Sequence, residues 1–506
     1  MRQKLAIKSS AVGLCARLLA MVLSIISTRL FVEYLGIEIK GVSGLIANIL
    51  SLLQLAEMGI GTAIIYALYQ PIVDNRKEEI KSLMAFYKKA YNYIGLLIFV
   101  IGCAASLFLK FFIEETSYSW SYVYLIFYIQ LMASVSTYLL GAYRRNLLYA
   151  NQKQYITTII DASMNTLFTI VRMVVIVYLQ SYILYLVLQL IQTLASNLVA
   201  SIVTEREFPY LKEKDVQAYD KMPELIGNVK NVVIGKIGGV VYNSTDNLLI
   251  SKFVGVVAVG YMTNYYTVRT MIKTIVNSVT EPVRPMIGNY IREYKDVSKS
   301  YQLFLSYTFI RYFIANIVVV GVLVMFNPFI DIWLGKGYTL SMAIPTLIAI
   351  DMFIDIVHGP TWEFNSALGL FRNSRNMSCV GAIINLVTSI MLVVIMGTPG
   401  VLLGTVIAQC YYWIARSYIV FKKYFKQGVG IYLRRVGAYI FVTTIDIIIM
   451  LSLRYKLMPE TTFPKFLILC IISVAVSMTS VVVIWGRTKE FALMNKMIKS
   501  FFMKNK

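Results

Sequence analysis

A chain of 506 residues that is 58% hydrophobic and 15% charged, with a mean hydropathy of +0.68, is too apolar for a string of water-soluble domains. Its formal charge of +22 would suit nucleic acid, but the basic residues concentrate on alternate short connections between apolar runs. That is the positive-inside pattern of a polytopic membrane protein, and it removes nucleic acid as the expected partner. Five scattered cysteines without a CxxC pair, and a single histidine (His358), argue against a zinc site or a disulfide framework.

The N-terminus, Met1-Arg2-Gln3-Lys4 before an apolar run from Gly13 to Phe31, has the outline of a signal peptide. The run is too long for one, contains Arg17, lacks a small-residue cleavage site and leads straight into another span, so it reads as a retained first helix. Spanning the hydrocarbon core takes about 20 helical residues. Fourteen runs qualify, centred near residues 21, 54, 99, 131, 167, 192, 241, 267, 314, 353, 387, 411, 444 and 475. The tenth is polar for a span, and the thirteenth closely follows Arg434 and Arg435. The even count places both termini on the basic, cytoplasmic side.

The expected organisation is an all-α polytopic protein with an N-terminal six-helix lobe over 1–204 and a charged cytoplasmic linker over 205–226. A second six-helix lobe over 227–426 follows, then two additional helices and a basic cytoplasmic tail over 427–506. No connection is large enough for a catalytic domain. There is no Ser/His/Asp set, metal cluster or phosphate-cradling loop, so an enzyme is not expected and function falls to the helices.

A shift of 219 residues superposes the first span on the seventh. It places Arg17 on Lys236, Leu30 on Leu249, Gly36 on Gly255 and Gly41 on Gly260. Six helices per repeat makes the two lobes parallel, related by an axis along the membrane normal. Within STRLFVEYLGIEIKGVSGLIANILSLLQLAEMGIGTAI (27–64), Gly36 and Gly41 are expected to bracket a tight external turn. Gly59 and Gly61 loosen the inner end of the second span, because small residues permit close approach and bending.

This segment resembles the start of the polysaccharide-exporter (oligosaccharide-flippase) family of the multidrug/oligosaccharidyl-lipid/polysaccharide flippase superfamily. The matching positions are Arg29, Leu35-Gly36, Gly41 and Gly59-Ile60-Gly61. The second half offers TDNLLISKFVGVVAVGYMTNYYTVRTMI (245–272) and EPVRPMIGNY (281–290). The resemblance implies a V-shaped, two-lobed fold in the bacterial cytoplasmic membrane, shared with multidrug exporters and peptidoglycan-precursor flippases. It also implies alternating-access transport of an oligosaccharide on an undecaprenyl-pyrophosphate carrier, for capsule or other surface polysaccharide. The expected partners are that anionic lipid-linked oligosaccharide, membrane lipids, and the polymerase and glycosyltransferases of the same pathway. The first, second, seventh and eighth spans would line the cavity.

Ionisable residues at bilayer depth normally face a cavity, a partner or a substrate. Arg17, Lys236, Arg269 and Lys273 fall in the middle or cytoplasmic half of their spans, where a pyrophosphate would first be met. Arg269 and Lys273, four apart, share a helix face. The alternative is that these cations pair with Glu57, Asp246, Asp351 or Asp355, or snorkel to the headgroups. Arg29, Arg172, Arg311 and Arg416 favour structural roles, Arg311 by pairing with a carboxylate of the tenth span. Asp351, Asp355 and Glu363 on that span are candidates for coupling or gating through H+ or Na+, or for neutralising Arg311. Glu57 belongs with the candidate coupling residues, and Asp246 is a candidate gate partner or an interfacial residue. No other cofactor and no metal is expected. Tyr265 and Tyr266, one turn from Arg269, could stack on sugar rings or simply meet the interface.

Competing expectations are a lipid-linked peptidoglycan precursor flippase, a cation-coupled multidrug exporter, for which an acidic lumen would be expected, and a membrane polysaccharide polymerase or ligase.

Overall fold

A computed structural model describes residues 2–57, 60–139, 141–212, 245–294, 296–457 and 462–495. Every regular element among them is helical. The first half contains α1 (Arg2–Leu35), α2 (Ile37–Leu53), α3 (Ile60–Val73), α4 (Lys77–Ser106), α5 (Trp120–Leu139), α6 (Gln154–Leu179) and α7 (Tyr182–Glu207). The second contains α8 (Val256–Thr280), α9 (Val283–Tyr294), α10 (Val297–Leu334), α11 (Ala343–Ala367), α12 (Phe371–Met396), α13 (Thr398–Val420), α14 (Gly430–Leu457) and α15 (Phe463–Trp485).

Ten helices among the described residues are long and apolar enough to cross a membrane, in α1, α4 to α7, α10 to α12, α14 and α15. The other four expected spans divide by cause. The second is broken: α2 and α3, of 17 and 14 residues, are separated by a 3-10 turn at Gln54–Glu57. Of the seventh, expected over 231–253, residues 231–244 with Lys236 lie outside the described residues, as does most of the linker, and 245–253 are helical. The eighth and twelfth form as α8 and α13, of 25 and 23 residues, each of crossing length but more polar than the other spans, with Asn264, Arg269 and Lys273 in one and Gln409, Tyr411, Tyr412 and Arg416 in the other.

The chain forms two compact units, Met1–Thr263 and Asn264–Lys506, the division falling inside α8. Residues 245–263, assigned from sequence to the second lobe, pack with the first unit. Ser251 Oγ donates to the Phe112 carbonyl at 2.7 Å, and Lys252 Nζ lies 2.5 Å from Glu114 Oε1. In the second unit α10, 38 residues long, packs against α11, α14 and α15, so the two C-terminal helices are built onto that unit's longest helix.

The 219-residue offset is visible in the backbone. Gly36 (φ +88) and Gly255 (φ +115) each turn the chain into the following helix from a left-handed conformation that side chains other than glycine rarely adopt. Gly41, expected to bracket the turn, instead lies inside α2, because α2 begins directly at Ile37. Its partner by the offset is also its neighbour in space. A Cβ on Gly41 would sit 1.9 Å from the Val256 carbonyl oxygen, and one on Gly260 2.2 Å from that of Ile37. The two glycines thus let α2 and the start of α8 touch backbone to backbone.

Candidate functional site

α11 is the most enclosed of the ten spans, which explains how so polar a helix tolerates bilayer depth. Its acids meet the basic face of α8 rung by rung. Arg269 Nη2 donates to Asp351 Oδ2, and Lys273 Nζ lies 2.8 Å from Asp355 Oδ2. Both pairs are spaced by four residues on both helices, so each helix presents one face to the other. Farther along α11, Glu363 Oε1 lies between Arg284 Nε of α9, at 3.5 Å, and Arg311 Nη2 of α10, at 3.6 Å. The Arg284 guanidinium also lies over the Trp362 ring, 4.5 Å from its centroid. Arg311 fits only because position 359 is glycine: a Cβ there would fall 1.6 Å from Nη2.

The result is a ladder of four cations and three carboxylates, in which a cation nominated for substrate meets a carboxylate nominated for ion coupling. The rungs differ in exposure. The Lys273 and Asp355 side chains are 42% and 35% exposed, whereas Arg311 and Glu363 are 6% and 1%. The Arg269 pair lies between them, at 22% and 7%. The outer rungs can therefore be reached by a ligand, while Glu363 and Arg311 of the inner one belong to the core and Arg284 lies at its exposed edge. Beside it His358 Nε2 lies 3.0 Å from Arg416 Nη1. Arginine can only donate, so this nitrogen accepts and the ring proton sits on Nδ1.

In the first unit Glu57 occupies the break between α2 and α3 and ion-pairs with no cation among the described residues. Tyr91 Oη donates to its Oε1 at 2.5 Å and Tyr138 Oη to its Oε2 at 2.8 Å. Tyr87 Oη donates in turn to Tyr91 Oη at 3.0 Å, and Asn146 Nδ2 to Tyr87 Oη. Gly61 leaves room for this cluster, since a Cβ there would stand 3.0 Å from Tyr87 Oη.

Other nominated residues lie apart. Arg17 is exposed on α1 and ion-pairs with no carboxylate among the described residues. Arg29 Nε lies 3.9 Å from Glu33 on an exposed face, and Arg172 is buried over Tyr185 with Thr169 as a partner. Tyr265 is fully buried; its hydroxyl donates to Asn327 Oδ1 at 2.7 Å and accepts from the Leu340 amide at 2.8 Å. Its ring therefore packs in the second unit's core, against Phe326, with no face open to a sugar in this conformation. Tyr266 and Asp246 are partly buried and engaged by neighbours. Lys236 and Gly59 lie outside the described residues. Sequence reasoning passed over Asp446, a fully buried acid on α14; the signal was a lone aspartate inside TTIDIIIM.

A family model described as polysaccharide biosynthesis protein matches residues 6–291. No curated protein matches. Among solved structures, the Lipid II flippase MurJ in an inward closed conformation superposes with a TM-score of 0.67 at 15% identity, covering 94% of this chain and 99% of that one. An inward-facing multidrug resistance MATE family transporter of the MOP superfamily gives 0.59 at 13%, covering 80% and 96%. A MOP superfamily transporter from Pyrococcus furiosus, described as having a reversed polarity of its binding pocket, gives 0.56 at 16%, covering 84% and 96%. The fold is that of the MOP superfamily, and the chain belongs to the polysaccharide biosynthesis protein family.

Proposed function

We propose that this protein flips undecaprenyl-pyrophosphate-linked oligosaccharide units from the cytoplasmic to the outer leaflet of a bacterial plasma membrane, by alternating access and with both termini in the cytoplasm. Family membership and a transporter fold support a flippase that handles lipid-linked precursors. The observation that carries the substrate class is the partly exposed double rung of α8 and α11. A guanidinium four residues from an ammonium suits a pyrophosphate, the first by two-pronged hydrogen bonding and the second as a point charge. In the resting protein Asp351 and Asp355 occupy those cations. A pyrophosphate entering would exchange for the carboxylates, and the released carboxylates would need a proton or sodium ion in their place. Substrate entry and ion uptake would then be two halves of one exchange. Arg17, exposed and without an acidic partner among the described residues, supplies a first electrostatic contact on α1.

The test is a reconstituted flipping assay with a defined undecaprenyl-pyrophosphate oligosaccharide. Arg269→Ala and Arg17→Ala are each expected to lower flipping at least tenfold with normal membrane insertion; wild-type flipping by both would overturn the clamp. The superposition on a Lipid II flippase over 94% of the chain favours a second reading, the peptidoglycan precursor. The same assay with Lipid II decides it: flipping of Lipid II but not of the oligosaccharide would replace the first reading.

A further inference from the structure

Three helices of the second unit meet around a carboxylate that ion-pairs with no basic side chain among the described residues. Asn316 sits at the middle of α10, Asp446 near the middle of α14, and Ser477 and Ser480 on one face of α15. Asn316, Asp446 and Ser477 are fully buried. Both donors in this cluster converge on the same carboxylate oxygen: Asn316 Nδ2 at 2.7 Å and Ser480 Oγ at 2.6 Å from Asp446 Oδ2. The Asn316 amide nitrogen also lies 3.5 Å from the Ser477 carbonyl, which brings α15 to the same level.

Three oxygens of the cluster are left over. Asp446 Oδ1, Asn316 Oδ1 and Ser477 Oγ have no hydrogen-bond partner among the described residues. The basic side chains closest along α10 and α14, Arg311 and Arg454, are engaged elsewhere: Arg311 lies against Glu363, and Arg454 Nη1 donates to the Val324 carbonyl at 3.1 Å. The other titratable groups nearby are Tyr312 and Tyr439, stacked on each other with centroids 4.0 Å apart. A buried carboxylate is normally paired or coordinates a metal, and bare buried acceptors are normally satisfied. A hard cation would satisfy both demands. One carboxylate among neutral oxygens matches a single positive charge, whereas Ca2+ sites usually carry several carboxylates and Zn2+ favours nitrogen or sulfur.

We propose that Asp446, Asn316 and Ser477 form a sodium site that joins α14 and α15 to α10. The site is separate from the α8–α11 ladder and does not depend on which lipid-linked substrate is carried. Its ligand charge comes from Asp446, its orientation from the two hydrogen bonds to Oδ2, and its remaining oxygens from Asn316 and Ser477.

The full-length protein in detergent tests this by thermal unfolding titrated with NaCl, against KCl and choline chloride at constant ionic strength, together with binding of radioactive sodium. Tm is expected to rise saturably with Na+ alone, with Asp446→Asn abolishing both the rise and the binding. Ser477→Ala, which leaves both bonds to Oδ2 in place, is expected to weaken the Na+ midpoint about tenfold. Equal Tm values in the three salts, Na+ stabilisation that survives Asp446→Asn, or a response to pH alone would overturn the site. If Asp446→Asn does not fold, an unchanged midpoint in Ser477→Ala overturns it.

Discussion

Glu57 in the first unit and the acids of α11 in the second are both carboxylates in apolar surroundings, held by opposite chemistries. Asp351 and Asp355 each face a cation, and Glu363 faces two. Glu57 is held by two tyrosine hydroxyls. Guanidinium and ammonium groups can only donate, so their partners are held as acceptors alone. A tyrosine hydroxyl donates or accepts, so Tyr91 and Tyr138 can serve a charged or a protonated Glu57 by rotating. The ladder is thus a set of mutually dependent charges that only an exchange of ions can open. The tyrosine cradle holds Glu57 through hydroxyls alone, so a neutral side chain there would leave no charge stranded.

The sharpest way to break this contrast is to neutralise one acid of each kind. Glu363→Gln strands Arg311, whose side chain is 6% exposed, together with Arg284, and is expected to cost about 3–5 kcal/mol, read as loss of Tm and of monodisperse yield. Glu57→Gln should cost only about 1 kcal/mol, because the tyrosines re-orient; equal losses from the two would end the distinction. A smaller effect follows from the middle rung. Arg269→Ala with Asp351→Asn should recover about 1–3 kcal/mol relative to the sum of the single variants in a thermal double-mutant cycle, since each single change leaves an unpaired charge. Tyr138→Phe removes one of the two donors to Glu57 and should cost about 1–2 kcal/mol, measurable as a Tm decrease at neutral pH. Lys273→Gln, at the exposed end of the ladder, should change stability by at most about 1 kcal/mol, and less in high salt.

Helix positions were legible wherever apolar length alone decides, as in α1, α4 to α7, α10, α12 and α15. So were the left-handed turns at Gly36 and Gly255, since glycine is the residue a positive φ selects. The break at Gln54–Glu57 was not, because leucine and alanine continue through it and only the surrounding tertiary structure supplies Tyr91 and Tyr138. The ladder was half legible. The spacing of Arg269 with Lys273 and of Asp351 with Asp355 shows that each pair shares a face, but nothing in a linear sequence shows that the two faces meet. Arg311 was expected to find a carboxylate of the tenth span, and Glu363 is that carboxylate. The enclosure of Tyr265 was not legible, because its depth in the span says nothing of Asn327 and Leu340, some 60 to 75 residues farther along, which hold its hydroxyl.

The contact between Gly41 and Gly260 carries a consequence for how such a chain can evolve. Two segments that match at a fixed offset would ordinarily drift apart, each adjusting to its own surroundings. Here the matching positions press on each other's backbone, so a methyl group gained by either one meets a carbonyl of the other segment that no side-chain rearrangement can move. Divergence at the two sites is bounded by one shared steric limit, and a larger residue at position 41 or 260 could persist only after the backbone of both segments had shifted together.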